Sequence, residues 1–482
     1  MAESYKKLLE EAQALRQEGQ HQSAFMAYCD LLLVHPEAHE AWVDFGDLQL
    51  ALNLKEDAHT SLANALAISP DFPPALAGQG RVLLRMGRLE EAVAVLARTL
   101  TIDPPRLEAR LDLARCHWKL GQLDEALGVL AVAAKQDPSN PIVTRFLIDI
   151  YIQRSMWPEL HEEMLRRANT DYSGAERKWE LCCVNLLFGA MPLGWDQHES
   201  RWSHPGLTNP RREFPQAPWR GEALEGRTVL LHCEQGFGDT LMFVRYAPLV
   251  KQLGGRVLLL VQPEVADLVA TCPGVDGVFS DEGSLPPFDV HLPILSLPYV
   301  FRTDLASIPG EVPYLDVPVR VPNRERLRER LAQSQGRTRI AISWAGNPTH
   351  ARDAQRSLPA EALRPLQALP DVAWYAVQHG STAPAPLPAL ESLAPLLSNF
   401  SDTAYALSGM DLVITVDTAL AHLAGALGIP TLLMVSYLPD WRWLMGREDS
   451  PWYPSLRIYR QTSADRWDSV VQQILMDLTQ EA

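Results

Sequence analysis

The sequence predicts a protein of two kinds of architecture: an all-helical repeat solenoid, then two doubly wound α/β domains. Three observations predict it. Pro36, Pro70, Pro104 and Pro138 stand 34 residues apart, each closing a helical stretch. Ala24, Ala58, Ala92 and Ala126 each lie 12 residues before one of those prolines, so a small residue recurs with the same period. From Thr228 onward the pattern changes to short apolar runs that end in glycine turns and lead into helices, the alternation of a parallel sheet.

The period of 34 resembles that of the tetratricopeptide repeat, a helix–turn–helix unit. Units begin near Tyr5, His39, Pro73 and Leu107. In the second unit Trp42, Phe45 and Gly46 mark the first helix, and Ala58, Leu62 and Ala65 the second. Leu76, Gly80, Ala92 and Leu96 match them in the third unit, and Ala114, Ala126, Leu130 and Ala133 in the fourth. Small residues belong where paired helices cross, and large ones in the groove of the next repeat. Gly19, Gly87 and Gly121 mark the turns within units. A degenerate fifth unit, Pro141 to about Arg167, caps the stack, so the solenoid is expected over residues 1–168. Such a solenoid serves either as a scaffold or dimerisation surface, or as a holder for a peptide segment of a client protein. Fusion to a region that looks catalytic favours the client.

Residues 169–226 are expected to form a packed connector, helical first and then rich in proline (Pro205, Pro210, Pro215, Pro218), with Trp195, Trp202 and Trp219 pinning it to its neighbours. The first α/β domain is expected over 227–320, with strands at Thr228–Cys233, Val257–Val261, Val275–Phe279 and Phe288–His291. The second covers 337–482, with strands at Ile340–Trp344, Ala373–Gln378, Leu412–Thr415 and Thr431–Met434 and a C-terminal helix. Two such domains in succession place a ligand cleft at the C-terminal ends of their strands.

Bulk properties narrow the function. The chain has 482 residues, 47% of them hydrophobic and 21% charged, enough apolar material for real cores. A net charge of −16 argues against nucleic acid or an anionic membrane surface as partner. Six scattered cysteines without a CxxC pair fit a reducing, cytoplasmic setting. No apolar run of about 18 residues predicts a membrane span, and the polar first residues carry no signal core. No cluster of His, Cys and carboxylates has metal-ligand spacing, and neither GxxxxGK[ST] nor GxSxG occurs. Gly236-Phe237-Gly238 lacks the third glycine of a dinucleotide fingerprint.

Three segments could carry chemistry. Glu234-Gln235-Gly236-Phe237-Gly238-Asp239 switches from strand to helix. Its glycines let a substrate approach the backbone, and Asp239 is either a helix cap or a general base. Asp417-Thr418-Ala419-Leu420-Ala421-His422 ends a strand and starts a helix. Asp417 or Thr418 caps it, and the remaining amides with His422 suit a phosphate, or else the histidine is a core residue. Ser343-Trp344-Ala345-Gly346-Asn347 ends another strand, followed by a loop with His350, Arg352 and Arg356. That loop is either a solvated surface or a phosphate clamp. The aromatics of Asp440-Trp441-Arg442-Trp443 and Pro451-Trp452-Tyr453 either stack on a base or sugar or pack the C-terminal connection, and most are expected to pack.

Taken together, these motifs resemble the heptosyltransferase family of GT-B glycosyltransferases and its relatives fused to tetratricopeptide repeats, over about Gly226 to Arg460. The resemblance implies an enzyme that moves a sugar from a nucleotide-sugar donor to a hydroxyl, with inversion and without a metal or other cofactor. It implies Asp239 as catalytic base. It implies donor contacts from Gly236, Gly238, Asn347, Asp417, Thr418, Ala419 and His422, and from Arg356 or Arg352 against phosphate. The family's acidic ribose contact has no match here; the strand ends in Val377-Gln378-His379, and Gln378 is expected to face the nucleotide instead. The repeat fusion is similar to enzymes that glycosylate proteins, including bacterial flagellins. A protein acceptor held by the repeats is therefore expected, with a saccharide or lipid acceptor, or a non-catalytic scaffold, as alternatives.

Overall fold

The computed structural model describes residues 2–204, 211–334, 336–348, 353–378, 387, 390–463 and 466–480. It divides into two compact units, Met1–Tyr151 and Ile152–Ala482.

The first unit is built of antiparallel helix pairs: Ala2–Gln17 with His21–Val34, His39–Ala51 with Lys55–Ile68, Pro73–Met86 with Leu89–Ile102, and Leu107–Lys119 with Leu123–Gln136. Why these residues pair is visible at one contact repeated along the stack. Ala24, Ala58, Ala92 and Ala126 are all fully buried. A Cβ added to Gly46 or Gly78 would stand 2.8 Å from Leu62, and one added to Gly80 would stand 2.4 Å from Leu96. Glycine there lets a leucine of the second helix lie against the backbone of the first. The turns repeat as faithfully. Gly19, Asn53, Gly87 and Gly121 hold φ between 62° and 79°, and Ser155 continues the spacing at 53°. Glycine takes that left-handed conformation freely, and asparagine is among the residues that tolerate it. Leu62 is enclosed on both sides, so Leu62→Ala is expected to destabilise the repeats by about 2–5 kcal/mol. The exposed Leu33→Ala should shift stability by no more than about 0.5 kcal/mol. Urea unfolding of the full chain followed by circular dichroism compares the two.

The second unit holds two parallel sheets. Strands β1 (Ala217–Pro218), β2 (Thr228–His232), β3 (Arg256–Leu260), β4 (Gly277–Phe279) and β5 (Val290–Pro293) form the first, in the order β1-β5-β2-β3-β4. Strands β6 (Thr338–Ser343), β7 (Val372–Ala376), β8 (Glu391–Ser392), β9 (Leu412–Val416), β10 (Thr431–Val435) and β11 (Leu456–Arg460) form the second, in the order β11-β10-β9-β6-β7-β8. The central strands are buried on both faces, which is why they read as unbroken apolar runs. Val229, Leu230, Leu231, Val257, Leu258 and Leu259 are fully buried in the first sheet. In the second, Ile340, Ile342, Ile414 and Met434 pack under Trp467, Val470 and Ile474 of the C-terminal helix Trp467–Gln480. Both sheets are Rossmann-like, as the alternation predicts. Strands β1, β8 and β11 add to the strands expected from the sequence.

The connector residues lie within this second unit. Trp195 is buried edge-on against Trp441 at 5.3 Å and Phe243 at 6.1 Å, joining both sheets' loops. Trp219 packs on Phe301 at 6.2 Å. Earlier in the chain, the helix Trp157–Asp171 places Trp157 so that a Cβ on Gly446 would meet its ring at 3.0 Å. No described helix is long and apolar enough to cross a membrane.

Candidate functional site

The site is assembled where strands of both sheets end. After β2 the chain turns through Gly236, whose extended backbone starts the helix Phe237–Phe243. After β9, Thr418 is the N-cap of the helix Ala419–Ala426, its hydroxyl accepting from the Leu420 amide at 3.3 Å. These two helix starts meet face to face. A Cβ on Gly238 would lie 2.8 Å from His422 Cδ2 and 3.6 Å from Ala419 Cα. Gly238 thus permits the close approach of the two sheets' helices, and Phe237 adds a ring contact to Phe400 at 5.1 Å.

Asp239 uses its two oxygens differently. Oδ2 accepts the Gly236 amide at 3.1 Å, half of a capping box. Oδ1 accepts from Nη2 of Arg442, which arrives from the loop after β10. Arg442 Nη1 donates to Asp440 Oδ1 at 2.6 Å, and its guanidinium stacks on Trp441 at 4.1 Å. Burial by itself would lower the Arg442 pKa, but the Asp440 and Asp239 carboxylates outweigh it and raise it. Arg442 carries no role in the sequence reading, and its place against Asp239 is the main feature that reading misses. The two residues are 203 positions apart, and no local pattern signals such a pair.

Asp417 stands beside the cap. Burial pushes its carboxyl up to about 6, with the Asp440 charge adding to the push, while the Trp443 indole, Arg442 and Arg356 oppose it. Arg356 reaches the same place from the short helix Asp353–Arg356, donating to the Asp417 carbonyl at 3.1 Å and to Asp353 at 3.2 Å. Gly346 lies directly beneath it, since a Cβ there would meet Arg356 Nη2 at 2.6 Å. His422 is buried, stacked on Trp443 at 5.1 Å, with Nδ1 2.9 Å from the Tyr453 hydroxyl. Burial first, and the Arg442 charge second, push its imidazole down to about 3. It is a neutral ring at neutral pH, so any contact it makes to phosphate is an uncharged one.

The carbonyl oxygen of Gln378 accepts from Ser343 Oγ at 2.9 Å and from the Trp344 and Ala345 amides at 3.1 and 3.0 Å. It shapes the turn after β6. Asn347 is exposed just beyond that turn. Arg352, His350 and His379 lie outside the described residues. Glu234, just after β2, pairs with the fully buried Arg201 of the connector through two bonds of 3.0 Å. Burial raises the Glu234 pKa, and Arg201 opposes the rise.

The first unit offers a separate feature. Arg115, Trp118, Ile142, Arg145, Phe146 and Asp149 line a groove of about 450 Å³ between its last helices. Cations and aromatic faces together suit a peptide with acidic and apolar side chains.

Comparison with known proteins agrees with this organisation. A tetratricopeptide repeat model matches residues 56–105 and 83–150. The model of glycosyltransferase family 9 (heptosyltransferase) matches residues 389–437, the segment that carries β9, Asp417, Thr418, His422 and β10. Protein FlbA of Caulobacter vibrioides is 27% identical over 336 residues, covering 64% of this chain and 55% of FlbA. The chain thus spans about half the length of that relative. Similar solved structures include PilW, a widely conserved type IV pilus biogenesis factor (18% identity, TM-score 0.35, covering 42% of this chain and 93% of PilW). Another is YrrB, a tetratricopeptide repeat protein with an unusual peptide-binding site (20% identity, TM-score 0.31, covering 37% of this chain and 97% of YrrB). The chain thus resembles a fusion of tetratricopeptide repeats with a glycosyltransferase family 9 (heptosyltransferase) region.

Proposed function

We propose that the chain is a GT-B glycosyltransferase with a metal-independent, inverting mechanism. Its donor is a nucleotide sugar, and its acceptor is a hydroxyl on a protein, such as a flagellin, held by the repeats. One observation carries the reading. The carboxylate of Asp239, in the helix that follows β2, pairs with Arg442; its neighbour Gly238 lies against Ala419 and His422 of the helix capped by Thr418, and Arg356 holds the Asp417 carbonyl beside that cap.

The chemistry follows from that pairing. Asp239 takes the proton of the acceptor hydroxyl as its oxygen bonds to the anomeric carbon. The bond from that carbon to the donor diphosphate breaks on the opposite face, inverting the configuration. Charge then grows on the leaving diphosphate, where the helix-start amides and Arg356 receive it. The cations and amides at the cleft supply the charge neutralisation that in other transferases a metal provides. The cation- and aromatic-lined groove near Arg115 and Phe146 supports peptide capture by the repeats.

Arg356→Ala is expected to weaken nucleoside diphosphate binding by about 1.5–3 kcal/mol, the range for a hydrogen bond to a charged group. His422→Ala should cost less, about 0.5–1.5 kcal/mol, because its ring is neutral. Calorimetry with UDP, GDP, CDP and ADP tests both, and unchanged affinity in the two variants would place the phosphate site elsewhere. The anomeric configuration of the product tests inversion.

A second reading, a scaffold whose transferase region no longer turns over, draws on one specific observation: the carboxylate of Asp239 is already paired with Arg442.

A further inference from the structure

Both oxygens of the Asp239 carboxylate are taken: Oδ1 accepts from Arg442 and Oδ2 from the Gly236 amide, so neither is free to accept from an acceptor hydroxyl. Asp239 can act in transfer only if Arg442 lets go of it, so the question is what draws Arg442 away.

Four features of the site answer it. Arg442 sits among three acids, paired with Asp239 and Asp440 and close enough to Asp417 to feel its charge. It is held over Trp441 at 4.1 Å, a flat face on which a planar guanidinium turns without losing its contact. It is near the start of the Ala419–Ala426 helix, since its chain neighbour Trp443 stacks on His422 at 5.1 Å. The other cation at the rim, Arg356, is fixed by Asp353 and the Asp417 carbonyl. Arg442 is thus the cation whose present partner must be released for chemistry. It borders the place where a diphosphate would bring further anionic oxygens in the bidentate geometry that arginine prefers.

We infer that Arg442 is an exchangeable latch: it holds Asp239 until the diphosphate of the donor competes for its guanidinium, and its transfer to the diphosphate frees Asp239 to accept the acceptor's proton. Arg442 is in this role a positioning residue for Asp239 and a contact for the donor. The inference rests on the reading of the cleft as a diphosphate site. It makes the order of events part of the chemistry, because the base is released only by the arrival of the donor. It also removes the conflict raised by the scaffold reading, since the pair is then the resting arrangement of a working site.

A double-mutant cycle on the full chain tests it, with inorganic pyrophosphate, UDP, GDP, CDP and ADP titrated by calorimetry. Asp239→Asn keeps the shape and an oxygen for the Gly236 amide but surrenders its hold on the guanidinium. It should therefore tighten diphosphate binding about fivefold or more, the lower end of typical coupling between sites. Arg442→Gln should weaken binding about tenfold. In the Arg442→Gln background, Asp239→Asn should change affinity by less than about twofold, because the competition has gone. A merely structural ion pair would lower the melting temperature in both variants and tighten nothing. Equal tightening by Asp239→Asn in both backgrounds would overturn the latch in favour of simple repulsion by the carboxylate. Unchanged affinity in Arg442→Gln would overturn it too. If none of the five probes binds any variant, the diphosphate site itself falls, and the latch with it. Should Arg442→Gln fail to fold, Arg442→Lys serves instead. It keeps the charge and loses the planar fork, and it must still reduce the effect of Asp239→Asn for the latch to stand.

Discussion

Asp239→Asn is expected to abolish most sugar transfer, by about 10²–10⁴-fold, the usual contribution of a general base. The nucleoside diphosphate should still bind. The substitution preserves the shape of the residue and leaves an oxygen to accept the Gly236 amide, so the helix start at Phe237 should persist. Loss of rate therefore separates from loss of fold. Steady-state transfer and the melting temperature, measured on the same preparation, decide the matter. Wild-type turnover with an unchanged melt would reduce Asp239 to the helix cap that its 3.1 Å bond to Gly236 also makes it.

A chain that begins at Ser155 is expected to bind donor normally and to transfer to the protein acceptor about 10²–10⁴-fold more slowly, the range by which a tethered second contact raises avidity. The choice of start matters. The second compact unit begins at Ile152, and Trp157 packs against Gly446 within it. Starting near Asn169, where the sequence places the connector, would remove Trp157 and the fully buried Leu160 and so damage the second unit itself. Transfer to a small hydroxyl acceptor, or slow hydrolysis of the donor, should be little changed in the shorter chain. If it modified the protein acceptor as fast as the full chain, the repeats would be a scaffold, and the acceptor a saccharide or lipid held by the cleft alone.

Much of the architecture is legible because its signals are local. Ala24, Ala58, Ala92 and Ala126 each report their own helix crossing, and all four are fully buried. The runs at β2, β3 and β9 are mostly apolar, Val229–Leu231, Val257–Leu260 and Val413–Ile414 being buried on both faces. The strands that escape are those whose residues carry no such pattern. Ala217–Pro218 and Glu391–Ser392 are two-residue edge strands, and the edge strand Leu456–Arg460 interleaves arginines with apolar residues. The site divides in the same way. Thr418 between a strand and a helix is recognisable as a cap, and it is one. The engagement of Gln378 by the turn at Ser343–Ala345 depends on a neighbouring strand that sequence order does not reveal. Arg442 and Arg201 find Asp239 and Glu234 only through the tertiary fold, across 203 and 33 residues.

The loop that carries Arg442 comes back to the first sheet only after β10 has been laid down, and this has a consequence for the chain during its own synthesis. Asp239 is translated 203 residues before the arginine that holds it, an interval of about 10–40 s at ordinary elongation rates. Through that interval the helix repeats, whose contacts are short in sequence, already have everything they need to fold. The cleft has not, because Asp417, His422, Arg442 and Tyr453 are still to come. On the proposed reading, the repeats are therefore ready to hold a partner before the site at Asp239 has been assembled.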